Sequence, residues 1–307
     1  MKILVTGGAG FIGSHIVEYW QNRQGARVLV LDNLKTGFRN NIEGFNVKFI
    51  RGSVTDYKTV LEASKGADYI FHLAAMISVP ESIINPVECF RINTEGTLNI
   101  IKAARENKVK KIILSSSSAI YGDNPKMPKA ETMLPEPKSP YAVSKLDGEY
   151  LLSLYRKAWG VESVSCRYFN VFGPRQNPKS QYAAAVPIFI FQALRNKPLT
   201  VFGDGRQTRD FIYVKDVVQA NVLACKKGEG VYNAAYGTRI TINELAKKVI
   251  QMCGSSSKII HAKERPGDIK HSLADISRIK QIGFKPGLSL DEGLKATIEY
   301  FKAQPRR

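Results

Sequence analysis

Tyr141 and Lys145 stand four residues apart in the run Ser139-Pro140-Tyr141-Ala142-Val143-Ser144-Lys145. Ser139 suits an N-cap and Pro140 a first helical position, so the run predicts a helix that carries both side chains on one face. A phenol with an ordinary pKa of about 10 is a poor base at neutral pH. A nearby ammonium stabilises the phenolate, and the pair could then take a proton from an alcohol and later return it. Taken alone, the spacing also describes an ordinary surface helix pair.

A second source of chemistry is Ser115-Ser116-Ser117-Ser118-Ala119-Ile120-Tyr121-Gly122, which follows the apolar run beginning at Lys111. Hydroxyls after a buried strand lie at the carboxyl edge of a sheet, where ligands bind in such folds. One of them could hydrogen-bond a reacting oxygen, although serines in this position are often plain turn residues.

The third is Gly7-Gly8-Ala9-Gly10-Phe11-Ile12-Gly13, between a first strand and a first helix. Glycines there permit a tight turn and a close approach of backbone to a pyrophosphate, while the helix N-terminus offers free N–H groups. Asp32 follows the second strand about 20 residues on, where its carboxylate can accept from the hydroxyls of an adenosine ribose. Such a carboxylate repels a 2′-phosphate, so NAD is expected rather than NADP. Its positive nicotinamide ring would further stabilise a Tyr141 phenolate.

These groups need elements to hold them. Residues Lys2–Thr6, Arg27–Leu31, Val47–Ile50, Tyr69–Leu73, Lys111–Ser115 and Ser163–Tyr168 are continuous apolar or β-rich runs, as in strands buried on both faces. Helical spacing fills Ile12–Asn22, Tyr57–Ser64, Ile92–Glu106 and Tyr141–Trp159 between them. The alternation predicts an α/β fold with a parallel sheet covered by helices on both faces. Beyond about residue 170 the pattern loosens, and helical patterns return at Ala184–Arg195, Val214–Ala224, Ile242–Met252 and Leu290–Phe301. This part reads as a smaller α/β substrate domain over the carboxyl edge of the sheet. Asp123–Pro140, with five prolines in 18 residues, reads as a loop near that edge.

Composition narrows the partners. The chain has 307 residues and a net charge of +18, with 26 Lys/Arg against 12 Asp/Glu after residue 150. The basic residues are dispersed rather than blocked, which suits a diphosphate ligand better than nucleic acid. Cys89, Cys166, Cys225 and Cys253 are scattered and suggest neither a zinc site nor a disulfide framework; buried thiols in a reducing cytoplasm are expected. No metal is expected. The apolar run Ala183–Leu194 falls short of a membrane span, and with a strand opening the sequence no cleavable leader is expected.

Together the motifs resemble the extended short-chain dehydrogenase/reductase family, in particular its UDP-hexose 4-epimerases. The resemblance is carried by Thr6 to Gly13, His72-Leu73-Ala74-Ala75, Asn93-Thr94-Glu95-Gly96-Thr97, Ser115 to Gly122, Tyr141 with Lys145, Arg167 to Gly173, and Gly203 to Phe211. It implies a Rossmann-type doubly wound parallel sheet over 1–169, binding NAD. A nucleotide-sugar-binding domain follows over 170–307, some of its segments returning to the sheet. It implies Tyr141 as base, Lys145 as its electrostatic partner and Ser117, 24 residues before the tyrosine, as the serine on the sugar 4-oxygen, with Ser118 as the alternative. Cofactor contacts are implied for Gly7, Gly10, Phe11, Ile12, Gly13, Asp32, Asn33, Ser53, Leu73, Ala74, Ala75, Asn93 and Tyr168, besides Tyr141 and Lys145. For the nucleotide sugar it implies Asn170, Val186, Phe202, Arg209, Arg265, Asp268 and Ser272. Ser53 departs from the Asp usual there, and Met76-Ile77 from a lysine found in some epimerases.

The reaction so implied has no net redox change: C4 of a UDP-hexose is oxidised to a ketone and reduced again from the other face. Small Ser272, where a bulky aromatic would exclude an N-acetyl group, implies that UDP-N-acetylglucosamine and UDP-N-acetylgalactosamine are accepted along with UDP-glucose and UDP-galactose. The family also implies a homodimer built on helices near 88–106 and 141–157. The rivals are a UDP-glucuronate 4-epimerase, a 4,6-dehydratase, whose acid/base carboxylate is missing beside Ser117-Ser118-Ala119, and an inactive dinucleotide- or RNA-binding scaffold.

Overall fold

The structure is a computed structural model and describes residues 1–178, 184–264 and 269–304. Its strands are β1 (Lys2–Thr6), β2 (Arg27–Asp32), β3 (Val47–Arg51), β4 (Tyr69–His72), β5 (Lys111–Ser117), β6 (Ser163–Tyr168), β7 (Asn170–Phe172), β8 (Leu199–Phe202), β9 (Thr208–Arg209), β10 (Phe211–Tyr213), β11 (Gly230–Ala234), β12 (Ile240–Thr241) and β13 (Ile259–Ala262). Its helices are α1 (Phe11–Gln21), α2 (Tyr57–Ser64), α3 (Val79–Ile84), α4 (Pro86–Phe90), α5 (Gly96–Glu106), α6 (Pro140–Trp159), α7 (Ala185–Ala193), α8 (Val214–Lys227), α9 (Ile242–Cys253), α10 (Ser277–Gln281) and α11 (Leu290–Ala303).

Seven strands form one parallel sheet in the order β11-β6-β5-β4-β1-β2-β3. The chain starts in the middle, winds outward through β2 and β3, then crosses to β4 and continues the other way. This reversal leaves a crevice at the carboxyl ends of β1 and β4, where doubly wound sheets bind ligands. One core layer lies under α1 and α8 and includes Ile3, Val5, Ile16, Phe71 and Val217; the other lies under α2, α5 and α6 and includes Leu4, Leu31, Ile70, Ile100 and Leu152. Alternate residues of β1 thus feed opposite layers, as a strand's two-residue period requires.

After β6 the described residues build three two-stranded sheets, β7 with β10, β8 with β13 and β9 with β12. A third core, with Phe172, Phe189, Leu199, Leu245 and Ile298, joins α7, α9 and α11 to them. The strand β11 then returns to the edge of the large sheet beside β6.

Several expected elements shift. The fifth strand runs on to Ser117 instead of stopping at Ser115, because Ser115, Ser116 and Ser117 pair with Cys166, Arg167 and Tyr168 of β6. The helix expected over Ile92–Glu106 begins earlier, as α4, passes through a π-helical turn at Arg91–Glu95 and continues as α5. Of the four cysteines, Cys253 is only half-buried; the other three are buried thiols, and all four are free. Among the described residues no helix is long and apolar enough to cross a membrane, and no group of acidic, Cys and His side chains could hold a metal ion.

Candidate active site and cofactor cradle

The glycine turn closes tightly on its surroundings. Gly7 has φ +69°, and a Cβ there would stand 2.7 Å from the Ala74 nitrogen; a Cβ on Gly13 would meet the Gly7 carbonyl oxygen at 2.1 Å. The first residue packs the turn against the loop after β4 and the second packs α1 against the turn, so a side chain at either would push the cradle open. Gly10 caps α1 without a side-chain hydrogen bond, no acidic residue sits in its first turn, and Phe11 and Ile12 anchor it in the third core. The helix therefore presents N–H groups and a partial positive charge toward a diphosphate.

Asp32 closes the other side. Its Oδ2 accepts from the Ala9 N–H at 3.0 Å and its Oδ1 from the Leu34 N–H at 2.8 Å. Burial raises its pKa, and those two N–H groups oppose the shift. The carboxylate thus ties the glycine turn to the end of β2. Asn33 beside it is exposed and accepts from the Lys35 N–H in a local turn. Ser53, half-buried after β3, exchanges a 2.8 Å hydrogen bond with Thr55.

The segment Leu73-Ala74-Ala75 is held by a chain of hydrogen bonds whose direction can be worked out. Thr97 Oγ1 donates to the Asn93 carbonyl at 2.5 Å, so it accepts from His72 Nε2–H at 3.1 Å. That leaves Nδ1 of His72 bare to accept from Thr6 Oγ1 at 2.7 Å, and Thr6 in turn accepts from the Ala74 N–H at 3.3 Å. His72 is neutral: burial, aided by the Lys145 charge, lowers its pKa to about 3. Asn93, in the π-helical turn, brackets Met76 through both ends of its amide and donates to Ser144 Oγ at 2.9 Å. It therefore fixes the loop after β4 to α6. Tyr168 likewise uses its hydroxyl within the fold, donating to Asn221 Oδ1 at 2.7 Å.

Ser139 caps α6 by accepting from the Ala142 N–H, and Pro140 sits in its first turn, as the sequence predicts. The helix delivers Tyr141 and Lys145 to the end of β5. Burial raises the Tyr141 pKa, and the nearby Ser117 hydroxyl draws it back. Lys145 Nζ lies 5.9 Å from the Tyr141 ring centroid and donates to the Ser115 carbonyl at 2.8 Å. Burial lowers its pKa to about 8, near the pH at which it would work. A strand's alternation separates the serines: Ser116 turns into the core, where its hydroxyl donates to Glu149, while Ser117 faces Tyr141 and also accepts from the Ala119 N–H. Phenol, ammonium and hydroxyl thus meet at one edge, a constellation suited to removing a proton from an alcohol and restoring it.

The remaining expected residues are spread over the second half. Asn170 opens β7 and its side chain donates to the Asp210 carbonyl at 3.0 Å. Val186 is buried in the third core on α7, Phe202 ends β8, and Arg209 lies on β9 with a 2.9 Å bond to the Thr208 carbonyl. The Ser272 N–H donates to the Thr208 carbonyl at 3.0 Å, which sets it beside Arg209's strand. Arg265 and Asp268 lie outside the described residues. Sequence reading missed Asp210, whose carboxylate takes the N–H groups of Tyr236, Gly237 and Ala274 and so ties two other loops to its own segment. It also missed Glu149, although Tyr141, Lys145 and Glu149 recur at four-residue steps.

A doubly wound dinucleotide sheet with a tyrosine-lysine helix at its carboxyl edge defines a short-chain dehydrogenase/reductase type of protein. The chain belongs to the NAD dependent epimerase/dehydratase family, whose model matches residues 3–235. NAD is the cofactor of that family, and the glycine cradle and Asp32 fit it. The chain is 41% identical to the UDP-N-acetylglucosamine 4-epimerase of Methanobrevibacter ruminantium M1, solved with UDP-N-acetylmuramic acid, with 99% of each chain covered and a TM-score of 0.95. It is 40% identical to the UDP-glucose 4-epimerase of Thermotoga maritima, solved with UDP-glucose, over 98% of this chain and 99% of that one, TM-score 0.95. The UDP-N-acetyl-alpha-D-glucosaminuronate decarboxylase of Bacillus cytotoxicus is 35% identical over 98% of each.

Proposed function

We propose that the protein is a UDP-hexose 4-epimerase that interconverts UDP-N-acetylglucosamine and UDP-N-acetylgalactosamine, and also UDP-glucose and UDP-galactose. The observation that carries this reading is the meeting of Tyr141, Ser117 and Lys145 at the end of β5, with no carboxylate between Ser117 and Ala119 to drive a dehydration. Tyr141 takes the 4-hydroxyl proton, Ser117 holds the 4-oxygen, and the Lys145 ammonium stabilises the phenolate. The glycine turn and Asp32 would hold NAD, which would supply the hydride acceptor and donor for C4 and so be regenerated in every turnover. The ketose turns over within the site while its nucleotide diphosphate stays held, for which Asn170 and, opposite the phosphates, Arg209 and Arg265 are the candidates, with Asp268 near the uridine ribose. Tyr141 then returns the proton to the inverted alcohol. Remote binding energy thereby presents both faces of the sugar to one fixed set of groups.

Small Ser272, and the likeness to an epimerase named for UDP-N-acetylglucosamine, support acceptance of the acetylated pair. The reading is tested by incubation with UDP-glucose, UDP-galactose, UDP-glucuronate and both acetylated sugars, the products being separated by chromatography. Inversion of the acetylated and plain hexoses is expected; conversion of UDP-glucuronate alone would replace this reading with its rival.

The functional unit in this reading is a cytoplasmic homodimer. Ile83, Ile84 and Val87 on α3 and α4, and Tyr150 and Leu154 on α6, are all more than half exposed, Val87 at 81%. These helices pack on one another, so their apolar side chains are set for a second copy to cover across a two-fold axis.

A further inference from the structure

Three successive residues at the end of β5 are gripped by three successive turns of α6. The Ser117 hydroxyl stands close enough to the Tyr141 phenol to draw its pKa down, the Ser115 carbonyl takes the Lys145 ammonium, and the Ser116 hydroxyl donates to Glu149 Oε1 at 2.5 Å. Tyr141, Lys145 and Glu149 share one face of the helix because they recur every four residues. The third grip is itself anchored. Arg167 lies directly across from Ser116 in the β5–β6 register, and it binds Glu149 through Nε to Oε1 at 2.9 Å and through Nη2 to Oε2 at 2.7 Å. Ser116, Glu149 and Arg167 are 2, 5 and 4% exposed. One carboxylate thus receives the two neighbours that face each other across two strands.

Stability does not account for this arrangement. Removing two charges from water costs several kcal/mol per ion, and a buried pair is commonly no better than apolar side chains of the same size. Its geometry is what an apolar core lacks: an Arg fork and a carboxylate in bidentate contact tolerate little sliding. If α6 moved along β5, the Glu149, Lys145 and Tyr141 contacts would break together.

We propose that Ser116, Glu149 and Arg167 are positioning residues that set the Ser117 hydroxyl against the Tyr141 phenol. The proposal rests on the reading of Tyr141 and Ser117 as the acid-base pair of the epimerase.

Ser116→Ala is the variant of choice, since Glu149 keeps both Arg167 bonds. Glu149→Ala would strand a buried guanidinium and unfold the protein for an unrelated reason. Thr297→Ala, which removes a buried hydroxyl in α11, controls for a merely structural loss. In the NAD-loaded protein, Ser116→Ala is expected to lower kcat about tenfold with KM little changed, since small misplacements of reacting groups are costly in rate. Ser116→Ala added to Ser117→Ala should cause no further loss, because both act through one hydroxyl. The titration midpoint of Tyr141, read as the ultraviolet difference from Tyr141→Phe, should rise in Ser116→Ala and stay put in Thr297→Ala. An unchanged kcat, an unchanged midpoint, or losses that multiply in the double variant would overturn the proposal. If the parent protein turns over no UDP-sugar, the functional reading fails and the midpoint alone decides the positioning.

Discussion

Lys145 Nζ and the Ser115 carbonyl oxygen are 2.8 Å apart, and this bond ties the ammonium to the strand that ends in Ser117. Burial lowers the Lys145 pKa to about 8, so its charge is lost as pH rises through that value. The charge stabilises the phenolate, and kcat is therefore expected to fall above about pH 8. Lys145→Met should reduce kcat at least about a hundredfold and abolish that alkaline limb. Stability should move the other way. Between about 8 and the ordinary 10.5, the unfolded chain keeps a proton that the folded chain has released, so the Lys145 contribution rises with pH there. Melting curves of the parent and Lys145→Met across this range check the sign.

His72 predicts an acid sensitivity. Its folded pKa is about 3 against an ordinary 6.5, so below about 6.5 the unfolded chain takes up a proton that the folded chain refuses. Its stabilising contribution is present above 6.5 and is lost as pH falls toward 3. His72→Phe should flatten the fall in Tm between pH 7 and 4. It also leaves the Thr6 and Thr97 hydroxyls without their partner, at a cost of about 1–3 kcal/mol, and loosens the loop that carries Ala74. A lower Tm at pH 7 with faster loss of NAD on gel filtration is the expected result.

Much of this site could be read in the sequence, because its signals are local. The glycine turn, Asp32 at the end of β2 and the capped Tyr141–Lys145 helix are each set by a few adjacent residues, and six strands of the sheet are continuous apolar runs. What could not be read depends on distant pairing. The strand β11, Gly-Val-Tyr-Asn-Ala, has no clear alternation and becomes a strand only because β6 lies beside it. The roles of the four serines differ only once β5 extends to Ser117 and alternation turns Ser116 toward Glu149. Asn93 and Tyr168 also hold the fold together, through side-chain bonds to Met76, Ser144 and Asn221 that lie 17 to 53 residues away.

Ser272 makes substrate choice testable. Ser272→Tyr is expected to cut turnover of the acetylated sugars at least about tenfold, as an added bulk in a pocket discriminates by 1–3 kcal/mol, while UDP-glucose turnover is kept. Competing-substrate assays give the ratio directly. Equal losses on both classes would sink the role.

The dimer reading predicts that a charge on the exposed apolar face separates the copies. Val87→Glu and Leu154→Glu should each sediment as a 34 kDa monomer, with Tm little altered because both side chains are already in water in the single chain. A dimer that survives both substitutions would place the interface elsewhere.

Inversion at C4 through a ketone with no net redox change is tested with UDP-N-acetylglucosamine carrying deuterium at C4. UDP-N-acetylgalactosamine that keeps the deuterium at C4 is expected, with oxidised NAD recovered on denaturation. Absence of an inverted product, or loss of the label to solvent, would contradict it.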